Sequence, residues 1–195
     1  MFGDPDFFNV KQLKETGMWP FTFLSAYGMM PYLKRMQGEL TGVEIGVLKG
    51  ENMVTLFENC PNIKMIYAIA PYKEHMDYET KRTKEQMKQY EKIAIDNLGE
   101  YEHNYRLIKK TSKAAAKDFD QSEQFDFILL DGDHTYKGIK SDLELYYPLL
   151  KKGGHMFIHD TNREDVLNAV LDYRNENKLR MPLHHSKNFV SFWTK

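Results

Sequence analysis

The chain of 195 residues contains one cysteine, Cys60, so no internal disulfide can form, and nothing around it in the sequence marks the thiol as reactive. Its simplest role is a small buried residue near a helix end. An excess of charge is missing too: 27 Lys and Arg stand against 28 Asp and Glu, for a net charge of −1. That balance lacks the electrostatic footprint of a nucleic-acid binder, so no nucleic-acid partner is expected. No apolar run approaches the roughly 20 residues needed to cross a bilayer. The first six residues have neither the basic region nor the apolar stretch of a secretory leader. A cytoplasmic protein without membrane attachment is the expectation. Internal repeats and low-complexity tracts are also absent. What remains is an ordinary globular chain, long enough to bury a core without disulfides or a structural metal.

Residues 1–38 are rich in aromatics and methionine, among them Phe7, Phe8, Trp19, Phe21, Phe23, Tyr27, Met29, Met30 and Tyr32. The helix signal there breaks at Pro20 and again at Pro31. This segment reads as an accessory layer or lid on a domain spanning 39–195, with packing favoured over a role in substrate binding.

From Thr41 onward the chain alternates. Apolar runs of strand length occur at 42–46, 64–70, 105–109, 125–130 and 154–159. Stretches of helical length lie between them, at 50–60, about 79–98, 112–118, 136–150 and 162–177. This pattern predicts an α/β fold, a parallel sheet with helices on both faces. The run Phe125–Leu130 is apolar almost throughout, as suits a central strand covered on both sides. Two close strands, 180–185 and 189–194, are predicted to end the sheet in an antiparallel hairpin. The charge-dense stretch from Lys73 to Lys92 reads as an exposed helix, with a lid as the alternative.

Two motifs carry chemistry. Val43-Glu44-Ile45-Gly46-Val47-Leu48-Lys49-Gly50 runs from a strand into a helix, and glycines there let a ligand approach the backbone and the helix N-terminus. It is not the dinucleotide pattern, since only Gly46 and Gly50 are present. The second is Asp131-Gly132-Asp133-His134 after one strand, with His159-Asp160 after the next. Adjacent parallel strands bring both sets to one sheet edge, a density of carboxylates and imidazoles that suits a divalent ion and a proton acceptor. Carboxylates favour Mg²⁺ or Mn²⁺, and imidazole shifts the preference toward transition metals. The plainer reading is that Asp133 and His134 cap the helix beginning near Tyr136. His184-His185 in a probable strand places one side chain in and one out, Trp193 reads as a core aromatic, and Asp142 and Glu144 as solvent-facing.

Glu-x-Gly-x-x-x-Gly after the first strand, Leu130-Asp131-Gly132-Asp133-His134-Thr135-Tyr136, and the run from Tyr146 to Asp160 resemble the class I S-adenosylmethionine-dependent methyltransferases. The match is closest to the group called methyltransferase family 24 and covers roughly residues 40–195. The resemblance implies a Rossmann-like sheet of seven strands that binds S-adenosylmethionine. Gly46, Gly50 and Glu44 would serve its methionine end, Thr111 and Ser112 would border the adenine, and Asp131 would touch both cofactor and metal. It further implies Asp131, His159 and Asp160 as metal ligands, with Asp133 or His134 as base. The acceptor would be a small-molecule hydroxyl, with a sugar as the leading class; oligomeric state is open, a homo-oligomer included. The chain departs from the family at Ala70, which stands where an acid usually holds the ribose hydroxyls and cannot accept a hydrogen bond. A methyltransferase-fold binder with lost cofactor use is the competing expectation.

Overall fold

The computed structural model describes residues 5–77, 80–119 and 125–195. After a single 3-10 turn at Pro5–Phe7, α1 (Val10–Glu15) and α2 (Ala26–Leu33) precede β1 (Leu40–Ile45), α3 (Glu51–Asn59) and β2 (Ile63–Ile69). A small ribbon follows, β3 (His75–Asp77) with β4 (Thr80–Arg82), then α4 (Lys84–Leu98), β5 (Tyr105–Ile108) and α5 (Ser112–Ala115). The chain closes through β6 (Phe125–Leu130), α6 (Tyr136–Tyr146), β7 (Leu150–Ile158), α7 (Glu164–Glu176), β8 (His184–His185) and β9 (Ser191–Thr194).

Seven strands form the main sheet in the order β5-β2-β1-β6-β7-β9-β8. The first five are parallel, and β9 runs antiparallel to both β7 and β8. The chain winds outward from β1 to β5, then returns to β6 and winds the other way. The order therefore reverses between β1 and β6, and a crevice opens beyond their carboxyl ends.

Side chains of β6 explain why its sequence is apolar apart from Asp126, whose carboxylate accepts from the Thr41 N–H and pairs with Lys151. Phe127 and Leu129 join Met29, Leu33, Leu56, Tyr90 and Phe157 on the face covered by α2, α3 and α4. Phe125, Ile128 and Leu130 join Tyr146, Val170 and Trp193 on the face covered by α6 and α7. With both faces covered, an alternating polar position has nowhere to point. Cys60 is buried at the C-terminal end of α3 and Trp193 is fully buried, as read from the sequence.

Several expectations are corrected. Pro31 lies inside α2 and does not end it, because Met29 and Leu33 on that helix are fully buried and their packing outweighs one lost backbone bond. The charged helix begins only at Lys84, where Thr83 and Gln86 form a reciprocal capping box. Residues ahead of it form the β3–β4 ribbon, with Lys81 paired to Glu74 at 2.9 Å; Glu79, at the expected helix start, lies outside the described residues. The terminal hairpin is shorter than predicted. Both His184 and His185 are exposed, since β8 is an edge strand with no layer over it; His184 stacks on Phe192 at 5.0 Å. Asp142 is buried on α6, whereas Glu144 faces solvent as expected. No described helix is long and apolar enough to cross a membrane.

Candidate functional site

Three loops leave the sheet at the reversal point, and backbone bonds hook each onto its neighbour. Gly46 N–H donates to the Ile69 carbonyl at 2.9 Å, Asp131 N–H to Ile45 at 2.8 Å, and His159 N–H to Leu130 at 3.0 Å. Gly46 has φ +100°, and a Cβ there would fall onto the Asp131 carbonyl. Only a hydrogen at that position lets the two loops touch. Gly50 (φ +75°) caps α3 without any side-chain bond, so the first-turn N–H groups of α3 carry no side-chain cap from that residue.

Glu44 lies beneath this turn. Its Oε2 accepts from Asn52 Nδ2 at 2.9 Å, and burial, with the nearby Asp131 charge adding, pushes its pKa up to about 8. Asn52 Oδ1 in turn accepts from the Ser25 hydroxyl at 2.8 Å and the Ala26 N–H at 2.6 Å. Ser25 Oγ also lies 3.4 Å from Asp131 Oδ2. The start of α2 thereby reaches the strand ends.

Asp131 Oδ1 sits 2.9 Å from His159 Nδ1 and 3.3 Å from His134 Nε2. Asp160 closes the group, 3.6 Å from His159 Nδ1 and 3.7 Å from His134 Nε2. Its φ of 55° is an outlier for a non-glycine residue at a loop start. Burial would raise the Asp131 pKa, but bonds to both histidines outweigh it and hold the carboxyl below its usual value. Burial disfavours the charged form of His159, yet Asp131, Asp160 and the Asn188 backbone together raise its pKa. Donor atoms of Asp131, His134 and His159 all lie within 4.8 Å of one another, so one ion can be shared among them. His134 can serve as ligand or as base but not as both; with it left free, the His159 imidazole and the Asp131 and Asp160 carboxylates still fit a divalent ion, the imidazole tilting the set from Mg²⁺ toward a transition metal.

Asp133 is not brought into this group. Its carboxylate is exposed, and Oδ1 accepts from the Thr135 N–H at 3.0 Å, closing a local turn. Thr135, not Asp133 or His134, caps α6.

The remaining candidates stand one strand over. Ala70 is buried at the end of β2, and Thr111 caps α5. Ser112 is engaged inward: its carbonyl accepts from Tyr146 Oη at 2.7 Å, and its hydroxyl bonds the buried Asp142. Sequence reasoning missed Ser25 and Asn52, which look like ordinary helix-start residues, and Tyr72. The last has φ 45° and a buried hydroxyl that meets no hydrogen-bond partner. The glycine turn and open helix start thus fit the methionine end of a cofactor, while the segment after β2 carries Ala70 and, two residues on, a buried unpartnered phenol.

Burial also raises Asp142, from 3.8 to about 6, with Asp133 adding to the shift. The folded state therefore holds a proton that the unfolded chain gives up, and stability falls as pH rises between those values. Asp142→Asn removes this loss. It is expected to add up to about 3 kcal/mol at pH 7, at about 1.4 kcal/mol per unit, and almost nothing below pH 4. Thermal melts of both proteins across pH 4–8 check it, and parallel pH profiles would refute it.

Residues 43–161 match the model of a methyltransferase domain, methyltransferase family 24. No curated protein matches in sequence. Among solved structures, a TDP-rhamnose 3'-O-methyltransferase of calicheamicin biosynthesis is 14% identical over 98% of this chain and 88% of its own, at TM-score 0.65. A Bacillus cereus O-methyltransferase in complex with S-adenosylhomocysteine is 13% identical over 100% and 93%, at TM-score 0.64. The O-methyltransferase NovP is 15% identical over 95% and 80%, at TM-score 0.60. At these identities the likeness is one of fold.

Proposed function

Since the chain belongs to methyltransferase family 24, whose members are class I S-adenosylmethionine-dependent enzymes, we propose that it methylates a hydroxyl of a small molecule, with a sugar hydroxyl as the acceptor. The observation that carries this reading is the gathering of Asp131, His134, His159 and Asp160 beside the glycine turn. The sugar acceptor draws support from the TDP-rhamnose enzyme among the structural neighbours.

A hydroxyl oxygen attacks a methyl carbon effectively only as its proton leaves. His134 takes that proton on the ring nitrogen that Asp131 does not engage; Asp131 and Asp160, both within 4 Å of its Nε2, stabilise the imidazolium that results. Of the two candidate bases, Asp133 is committed to Thr135, which favours His134. As the C–O bond forms, the C–S bond breaks and its electron pair stays on sulfur, giving S-adenosylhomocysteine. A divalent ion, Mg²⁺ or Mn²⁺, held by Asp131, His159 and Asp160 would supply Lewis acidity toward the developing alkoxide. The turn at Gly46 and Gly50, with Glu44 below it, would hold the methionine end of the cofactor, and Thr111 and Ser112 would border its adenine.

Calorimetric titration with S-adenosylhomocysteine tests the cofactor assignment. Wild-type protein is expected to bind, and Ala70→Asp to bind roughly tenfold to a hundredfold more tightly, the worth of one added bond to a charged group at about 1.5–3 kcal/mol. Absence of binding by both forms overturns the proposal. Binding by wild type with no gain in Ala70→Asp means that the ribose is held elsewhere, with the Tyr72 hydroxyl the nearest unpartnered group in sequence.

A further inference from the structure

The two oxygens of Asp131 are held very differently. Oδ1 meets both histidines, at 2.9 and 3.3 Å. Oδ2 meets a group from a distant stretch of chain, the Ser25 hydroxyl, at 3.4 Å. The terminal torsion of an aspartate is soft, so a carboxylate bonded through one oxygen alone swings about it. A donor on the second oxygen fixes the carboxylate plane.

The surroundings of Ser25 leave its hydroxyl available for that task. Ser25 is buried at the start of α2, yet its side chain makes no capping bond to the helix. A buried hydroxyl costs free energy unless it is bonded, so the helix alone would be served as well by alanine. The nearer acceptor, Asn52 Oδ1 at 2.8 Å, does not depend on this hydroxyl. The Ala26 N–H, which can only donate, already bonds that oxygen at 2.6 Å and so turns Asn52 Nδ2 toward Glu44. When the Ser25 hydrogen turns to Asp131, no member of the network is left unpaired.

The backbone carrying Ser25 is also fixed. Met29 and Leu33 on the same helix are fully buried. Ser186 Oγ donates to the Gly28 carbonyl at 2.8 Å. A side chain at Gly28 would collide with the Lys187 carbonyl and Val190, so α2 lies flush against the terminal turn.

We propose that Ser25 is a positioning residue for the reaction, its hydroxyl holding Asp131 Oδ2 so that Oδ1 stays aimed at both His134 and His159. The N-terminal segment thereby supplies part of the reaction centre and is more than a packing layer. The proposal rests on the role given to Asp131 above. A separation of 3.4 Å is long for a hydroxyl donor, and contacts of this kind commonly tighten only once substrate is bound.

A double-mutant cycle of Ser25→Ala with Asp131→Asn tests this, read as S-adenosylhomocysteine released from S-adenosylmethionine with methyl pyranosides as acceptors. In the otherwise native chain, Ser25→Ala is expected to lower kcat about tenfold, the worth of one modest bond to a charged group. Acceptor KM, S-adenosylhomocysteine affinity and melting temperature are expected to stay unchanged. In the Asp131→Asn background the same substitution is expected to cost roughly twofold or less, because the charge whose aim it sets is already gone. Equal losses in the two backgrounds, a loss confined to KM, or no loss overturns the proposal. A crystal structure of Ser25→Ala gives a readout independent of turnover. The Asp131 carboxylate is expected to rotate and carry Oδ1 out of hydrogen-bond distance of one histidine, and an unmoved carboxylate overturns the proposal. Near wild-type turnover by Asp131→Asn, or no transfer to any acceptor, counts against the reading of Asp131 instead, and the carboxylate geometry then decides on Ser25.

Discussion

Asp131→Asn is expected to slow methyl transfer by about a thousandfold while the protein remains folded. The substitution keeps the shape of the side chain but removes the charge that both histidines share, at 2.9 and 3.3 Å. His134, the proposed base, then has one flanking carboxylate in place of two to stabilise its protonated form. Loss of one preorganised electrostatic contact at a reacting centre costs about 10²–10³ in rate, and the proposed ion would lose a charged ligand as well. Initial rates with saturating S-adenosylmethionine measure the effect. Stabilisation by Mn²⁺ in a thermal-shift assay gives a second readout, present in wild type and absent in the variant. A variant with near wild-type turnover would remove Asp131 from the reaction.

Gly46→Ala is expected to destabilise the fold by about 3–5 kcal/mol and to abolish S-adenosylhomocysteine binding, a size of effect confined to a few mechanisms such as backbone strain and overpacking. Two costs combine. An L-residue at φ +100° is strained, and its Cβ would fall onto the backbone of Asp131. Neither loop can give way alone, because each is hooked to the neighbouring strand. Gly153→Ala separates the costs: φ there is +85°, but nothing lies within 4 Å of the added Cβ. Only the conformational part, about 1–2 kcal/mol, is expected from that control. Denaturant melts of the two variants check the contrast, and equal losses would mean that the loop contact contributes nothing.

The parts of the molecule legible from its residues are those where local pattern and tertiary demand agree. Phe125–Leu130 reads as a doubly covered strand because both its faces are covered. The Asp131 and His159-Asp160 groups were placed on one edge because neighbouring parallel strands end together. Elsewhere packing overrides pattern. Pro31 signals a helix end, yet α2 continues, since Leu33 is fully buried only if it does. Asp142 is charged, which predicts an exposed position, but it is buried on α6, where Ser112 at the start of α5 gives it a partner. The late start of α4 was the one error with a readable signal, the Thr83-x-x-Gln86 box. Asn52 and Ser25 carried none. Their bonds to Glu44 and Asp131 join residues from three separate stretches of chain, which no local window contains.

The hooks between strand ends bear on how such a centre survives divergence. Each of the three loops begins with an amide bonded to the carbonyl of the last residue of the neighbouring strand. The lateral spacing of Gly46, Asp131 and His159 is then set by the distance between strands, about 4.8 Å, and owes little to loop composition. The backbone acts as a ruler, and side chains are pegs set at its marks. A peg can be exchanged, whether Ala70 beyond β2 or His159 beyond β7, without moving the other marks. Chains only 13–15% identical to this one share its fold over most of their length. Chemistry at such an edge can change one residue at a time.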